Sequence, residues 1–285
     1  MPSSKRILTV AAAALGATAA ASALLHRMHA QEVRSRTQRV LQRSAPAVAA
    51  DLDARLAGLP APVQRYLRLA LASATAIPAA VEMEQSGRLR TAPDAARWLD
   101  FTARHTVSPR GCAFLWNARV RLGPLLHLRV VDALQDGRGA GQVLLQSLLR
   151  VAEDGGTEEM HAGALHRFLA EAVWYPWALL PSEQLKWEPV DARTARATLT
   201  CHGTSVSLEF RFAASGVVAG IYSEGRWGSF DGGYQRLPWE GRFSDHVREQ
   251  GVLMPRQGEV GWHRDGALQL VWQGTLQSWR PRSAP

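Results

Sequence analysis

Leu237-Pro238-Trp239-Glu240-Gly241-Arg242-Phe243-Ser244-Asp245-His246-Val247 begins a stretch that runs to Trp279 and decides the fold. Trp239, Gly241, Phe243, Asp245 and Val247 share one face of an extended chain, with Glu240, Arg242, Ser244 and His246 on the other. Glu249-Gln250-Gly251 turns it. Val252-Leu253-Met254-Pro255 starts a second strand through Gly258, Val260 and Trp262. Arg264-Asp265-Gly266 turns again, and Leu268, Leu270, Trp272, Gly274 and Leu276 alternate down a third. Period-2 alternation between glycine-containing turns is the signature of an antiparallel meander.

The same period extends upstream. Val81–Gly87, Leu99–Val107, Ala113–Val120, Leu126–Val130 and Gly141–Val151 read as strands, as do Leu185–Pro189, Ala195–Cys201, Val206–Phe212 and Val217–Ile221. Gly225–Gly233 reads as a loop. With the meander this gives ten to twelve strands, too many for a flat sheet without curling. One long helical pattern interrupts them. Thr157 is its N-cap, Glu158 and Glu159 suit the first turn, and Met160, Ala164, Leu165, Phe168, Leu169 and Ala172 form an apolar stripe. Pro176 breaks it between Trp174 and Trp177. The expected fold is mainly β (α+β): one large, strongly curved antiparallel sheet or half-barrel, with N-terminal helices and an insert over residues 157–180 packed on one face.

Residues 1–30 form an N-terminal unit, 31–58 a basic juxtamembrane linker or helix, and 59–280 the sheet domain. Ile7–Leu25 is a 19-residue uncharged run after Lys5 and Arg6. Its length suits a bilayer span. Its Ala-rich composition and Ala21-Ser22-Ala23 equally suit a cleaved signal peptide, or a soluble helix. Ser44-Ala45-Pro46 closes the basic segment, and Pro46–Leu59 and Ala61–Leu71 read as short helices.

The formal net charge of +8 is concentrated in residues 1–43, which carry seven Lys or Arg against Glu32 alone, and at Arg280 and Arg282. The folded body is nearly neutral. A nucleic-acid binder carries its basic footprint on the folded domain, whereas charge beside an apolar run fits a membrane surface. Arg27, Arg34, Arg36, Arg39 and Arg43 after the run favour a cytoplasmic domain by the positive-inside rule. The short basic start favours export. The expectation is an inner-membrane, single-pass or exported protein with its domain outside the cytoplasm, and no nucleic-acid partner.

Three motifs resemble an uncharacterised bacterial domain-of-unknown-function family: Leu59-Pro60-Ala61-Pro62-Val63-Gln64-Arg65-Tyr66-Leu67, Phe168-Leu169-Ala170-Glu171-Ala172-Val173-Trp174-Tyr175-Pro176, and Trp239-Glu240-Gly241-Arg242-Phe243-Ser244-Asp245. His246 stands where that family usually has tyrosine. Arg248, Gly251-Val252-Leu253-Met254-Pro255 and Glu259-Val260 resemble the closing hairpin of lipoprotein-localisation factors. That second resemblance implies an open curved sheet plugged by helices and a site for acyl chains.

No HExxH, GxSxG or phosphate-cradling glycine loop is present. Gly228-Ser229-Phe230-Asp231-Gly232 has the wrong spacing for a nucleophile elbow. His161 and His166 are too far apart for one helix face, so neither a metal nor another cofactor is expected. Cys112 and Cys201 read as one disulfide or as two small apolar strand residues. Ten tryptophans are available for a broad aromatic wall. The leading function is a membrane-associated carrier of a lipid or acylated protein, held between insert and sheet by Phe101, Trp116, Phe168, Trp174, Trp177, Phe243 and Trp262. The alternative is a hydrolase built on His105, Glu171 and Asp245, three polar residues on apparently apolar faces.

Overall fold

The computed structural model describes residues 4–42, 47–48, 52–74, 76–230 and 232–283, with side chains from residue 21 onward except at 47–48. Among these are four α-helices: α1 (Ser4–Leu41), α2 (Leu52–Leu56), α3 (Ala61–Ala70) and α4 (Glu158–Glu171). A two-residue pair, β1 (Ala47–Val48) with β2 (Ala76–Ile77), stands apart from the main sheet. The expected Ser44-Ala45-Pro46 closure lies outside the described residues, as does Asp231.

Thirteen antiparallel strands make one sheet. The first half is a meander of β3 (Ala80–Leu89), β4 (Leu99–Ser108), β5 (Ala113–Arg121), β6 (His127–Gln135), β7 (Arg138–Leu145) and β8 (Leu149–Gly155). The second comprises β9 (Leu185–Asp191), β10 (Thr194–Cys201), β11 (Thr204–Phe212), β12 (Val218–Phe230), β13 (Gly233–Glu249), β14 (Val252–Arg264) and β15 (Ala267–Arg282). The halves join where β15 pairs with β3, leaving β8 and β9 as opposite edges. The sheet is not closed into a barrel.

Two strand boundaries differ from expectation. The single strand expected over Gly141–Val151 is two, turned at Gln146 and Ser147 with φ of 53° and 56°. No glycine or asparagine marks that hairpin. The expected loop Gly225–Gly233 is instead the far end of the β12–β13 hairpin, with Arg226 opposite Leu237 and Phe230 opposite Gly233.

α4 connects one sheet edge to the other. It packs on β6, β7 and β8 from the first half and on β11 and β12 from the second. One helix can touch both flanks only if the sheet bends around it. The Tyr234 hydroxyl also donates to Asp154, tying β13 to β8. The Thr157 hydroxyl caps α4 by accepting from the Met160 amide at 3.2 Å. Leu165, Phe168 and Leu169 are fully buried against the concave face, each contributing about 1.5–3 kcal/mol of transfer free energy. At Tyr175 the backbone leaves the helical region (φ −143°, ψ 66°), and a second 3-10 turn starts at Pro176.

α1 is continuous across residue 30. Val40 is buried and Val33 half-buried against Ala113, Leu115, Val131 and Ala133, which point to the convex side. The Gln135 side chain fixes the helix by donating to the Arg36 carbonyl at 2.9 Å. Ile7–Leu25 is helical, but no helix among the described residues is long and apolar enough to cross a membrane. Nine of those nineteen residues are alanine, which buries little apolar surface. Cys112 and Cys201 are both free and buried, and the Cys112 thiol donates to Gln184 Oε1 at 3.8 Å.

Candidate functional site: an apolar cavity with a charged wall

A cavity of about 520 Å³ lies between the C-terminal end of α4 and the concave face. Small-molecule sites span roughly 300–1,000 Å³. Trp116 from β5, Trp174 from the 3-10 turn, Trp239 and Phe243 from β13, Trp262 from β14 and Trp272 from β15 form its aromatic wall. Leu89, Leu99, Val120, Leu128, Val130, Val143, Ala170, Ile221, Val260 and Val271 add aliphatic surface.

Two of the five indole N–H groups are spent away from the cavity. Trp116 Nε1 donates to Gln85 Oε1 at 3.0 Å, and Trp174 Nε1 to the Pro255 carbonyl at 2.8 Å. Ring faces are thus left for contact. Trp174 meets Phe243 edge-on, with centroids 5.9 Å apart, and Trp272 at 6.3 Å. Gly258 lets these rings approach the sheet: a Cβ there would sit 3.3 Å from both Trp174 and Phe243.

One side of the cavity is charged. Arg167 Nη1 donates to Asp132 Oδ2 at 2.7 Å and its Nε to Glu171 Oε1 at 2.8 Å. Its guanidinium lies 4.8 Å from the Trp116 ring. Burial lowers the Arg167 pKa, but Glu171 and Asp132 outweigh it and the net shift is upward. Burial raises Glu171 and Asp132 above the usual carboxylate range, against the pull of Arg167.

Arg226 stands beside them. The β12–β13 register slips between Ser223 and Arg226, so Arg226 takes an inward place that strict alternation from Ile221 would deny it. Its guanidinium is 4.7 Å from the Trp239 ring and 5.0 Å from Trp262. Nη2 donates to the Gly163 carbonyl at 3.1 Å, while Nε is buried without a partner. Burial, then repulsion from Arg167, pushes its pKa down to about 10.

The sequence model of a family of unknown function, DUF6544, matches residues 51–274. The chain belongs to that family. The match spans every cavity residue from Leu89 to Trp272. No curated protein matches this DUF6544 chain. Among solved structures it is similar to a putative outer membrane lipoprotein-sorting protein domain from Vibrio parahaemolyticus, at 9% identity and TM-score 0.40, covering 72% of this chain and 86% of that one. It is also similar to a LolA superfamily protein from Nitrosomonas europaea, at 11% identity and TM-score 0.40, covering 80% and 96%.

Of the seven apolar residues named from sequence, Trp116, Trp174, Phe243 and Trp262 line the cavity of this DUF6544 chain. Phe101 lies behind it, 5.6 Å from Trp116 and 5.8 Å from Trp272. Phe168 is core, packed on Tyr175 at 5.4 Å. The break at Pro176 sends Trp177 away from Trp174, to stack on Trp279 at 6.0 Å.

The polar trio does not assemble. His105 Nε2 and Glu171 Oε2 are 3.5 Å apart, a contact without a formed hydrogen bond. His105 is fully buried, edge-on to Phe114, and presents no surface to the cavity. Burial first, then Arg167, holds it neutral, well below the usual histidine range. Asp245 is exposed in β13 at a left-handed backbone position, φ 53°, and faces Arg256 at 3.8 Å, with the pairing to β14 in the same register on either side of it. Sequence reading also missed Asp132, Arg167 and Arg226. The only local signal was Arg167–Glu171 spaced i, i+4 on one helix face.

Proposed function

We propose that this chain is a carrier or binding protein for an apolar ligand, a lipid or an acyl chain, held between α4 and the curved sheet. The observation that carries this reading is the cavity of about 520 Å³ walled by five tryptophans, a phenylalanine and ten aliphatic side chains. Interiors normally close around such side chains. An apolar hollow of this size is better used by a guest, at about 0.8 kcal/mol per buried CH₂ before ordering costs. Lipid extracted from the purified protein should contain a co-purifying long-chain species by mass spectrometry, and tryptophan emission should shift when the stripped protein is titrated with palmitate. Absence of both would end the reading.

The N-terminal helix supports a membrane-proximal address. Residues 1–30 act in this proposal as an export or anchoring segment at the inner membrane, placing the domain outside the cytoplasm. Fractionation of cells expressing the full chain should find it in the membrane or processed and exported, with a form lacking residues 1–30 retained in the cytosol. Identical cytosolic behaviour of both forms would overturn this placement. Nothing favours the hydrolase alternative, because Asp245 is at the surface and His105 is sealed from the cavity.

A further inference from the structure

We propose that the ligand is an amphiphile with an anionic headgroup, a carboxylate or a phosphate monoester, and that Arg226 and Arg90 receive that headgroup. This rests on the carrier reading of the same cavity and adds to it the chemistry of one end of the guest.

The charges lining the cavity are three guanidiniums, Arg90, Arg167 and Arg226, against two carboxylates, Asp132 and Glu171. Both carboxylates are taken up by Arg167. Neither Arg90 nor Arg226 has a carboxylate partner among the described residues, and each has a buried Nε with no hydrogen-bond acceptor. Arg90 is steadied by the Trp98 ring at 4.6 Å and by one bond to the Pro93 carbonyl at 3.4 Å. Arg226 has the same kind of support from Trp239, Trp262 and Gly163. Aromatic faces hold a guanidinium in place without neutralising it.

The position of these two residues matters as much as their charge. A second hollow of about 310 Å³ adjoins the first, and the two share Arg90, Thr91, Asp132, Arg167, Arg226 and Trp262. Asp154 and Glu159 belong to the second hollow alone. The unmatched guanidiniums therefore stand at the junction, with the apolar chamber on one side. A chain filling that chamber would end its tail among Trp116, Trp174 and Trp272 and its head at the junction. A buried guanidinium N–H without an acceptor is unfavourable, and an oxyanion supplies planar, charge-assisted acceptors for it. A neutral head of the same size does not.

The test compares palmitate, palmitoyl lysophosphatidate and hexadecanol by tryptophan fluorescence on the full chain and on Arg226→Met and Arg90→Met, with folding checked by circular dichroism. At least one anion should bind the native protein about tenfold or more tighter than hexadecanol, as expected for charge-assisted bonds. That advantage should shrink to within about threefold in either folded variant while hexadecanol binding holds. Which anion shows the advantage identifies the headgroup. Equal binding of all three, or an advantage that survives both substitutions, overturns the headgroup assignment and leaves the carrier reading standing. Failure of all three to bind overturns the carrier reading itself. Arg90 lies just past the end of β3, so its variant tests the idea even if Arg226→Met does not fold.

Discussion

His166 shows what burial does to a single titrating group. It sits on α4 with 6% of its surface exposed, its Nε2 3.2 Å from the Ser207 carbonyl and 3.5 Å from Ser223 Oγ. Burial, then the charge of Arg226, lowers its pKa from 6.5 to about 4. His105 is lowered in the same direction. The unfolded chain therefore binds protons that the folded chain refuses. The stabilising contribution is whole above about pH 6.5 and is lost as pH falls toward 4. For His166 alone it is on the order of 3 kcal/mol. Urea unfolding between pH 7 and 4.5 should show falling stability, with a shallower slope in His166→Gln. A slope unchanged by that substitution would mean the histidine is not held neutral by its surroundings.

At the scale of elements, the seating of α4 decides whether there is a site. The helix approaches β7 most closely over Gly139, whose amide donates to His161 Nδ1 at 3.1 Å. A Cβ at Gly139 would meet the Met160 carbonyl oxygen and the Ala164 methyl. The backbone of a capped helix cannot yield as a flexible side chain can. Gly139→Ala should cost roughly 1–3 kcal/mol through overpacking, measured as a lower urea midpoint. It should also weaken ligand binding, because α4 carries Arg167, Ala170 and Glu171 on the cavity side. An alanine variant as stable as the native chain would mean that the helix seats more loosely than its contacts imply.

For the whole molecule, the question is whether the hollow under α4 is needed for folding or for a guest. The sheet bends around α4 without closing, and the cavity forms where thirteen strands and one helix leave a gap. Filling the gap separates the two uses. Leu128, half-buried on β6, lines the cavity, and Leu128→Trp would occupy part of it. If the space serves a guest, the variant should keep or raise its melting temperature and lose palmitate binding, since cavity filling commonly stabilises by about 0.5–2 kcal/mol. Loss of stability with binding intact would argue that the lining is already close-packed core.

The sequence by itself determined the sheet, its antiparallel sense, the single inserted helix and that helix's cap. These follow from period 2, period 3.6 and turn residues, all local in the chain. It also put Trp116, Phe243 and Trp262 on inward faces, because alternation holds along unbroken strands, and Trp174 in the helical insert. It failed where alternation fails. Asp245, expected inward, is exposed at a left-handed backbone position (φ 53°), the slip between Ser223 and Arg226 turned an unexpected residue inward, and the hairpin at Gln146-Ser147 carried no turn residue to mark it. Only the tertiary structure decided that Asp132 from β6, Arg167 from α4 and Arg226 from β12 meet in one wall. Asp132 and Arg226 come from opposite flanks of the sheet and Arg167 from the helix between them, and no local pattern records how far a sheet must bend before its two flanks reach the same helix.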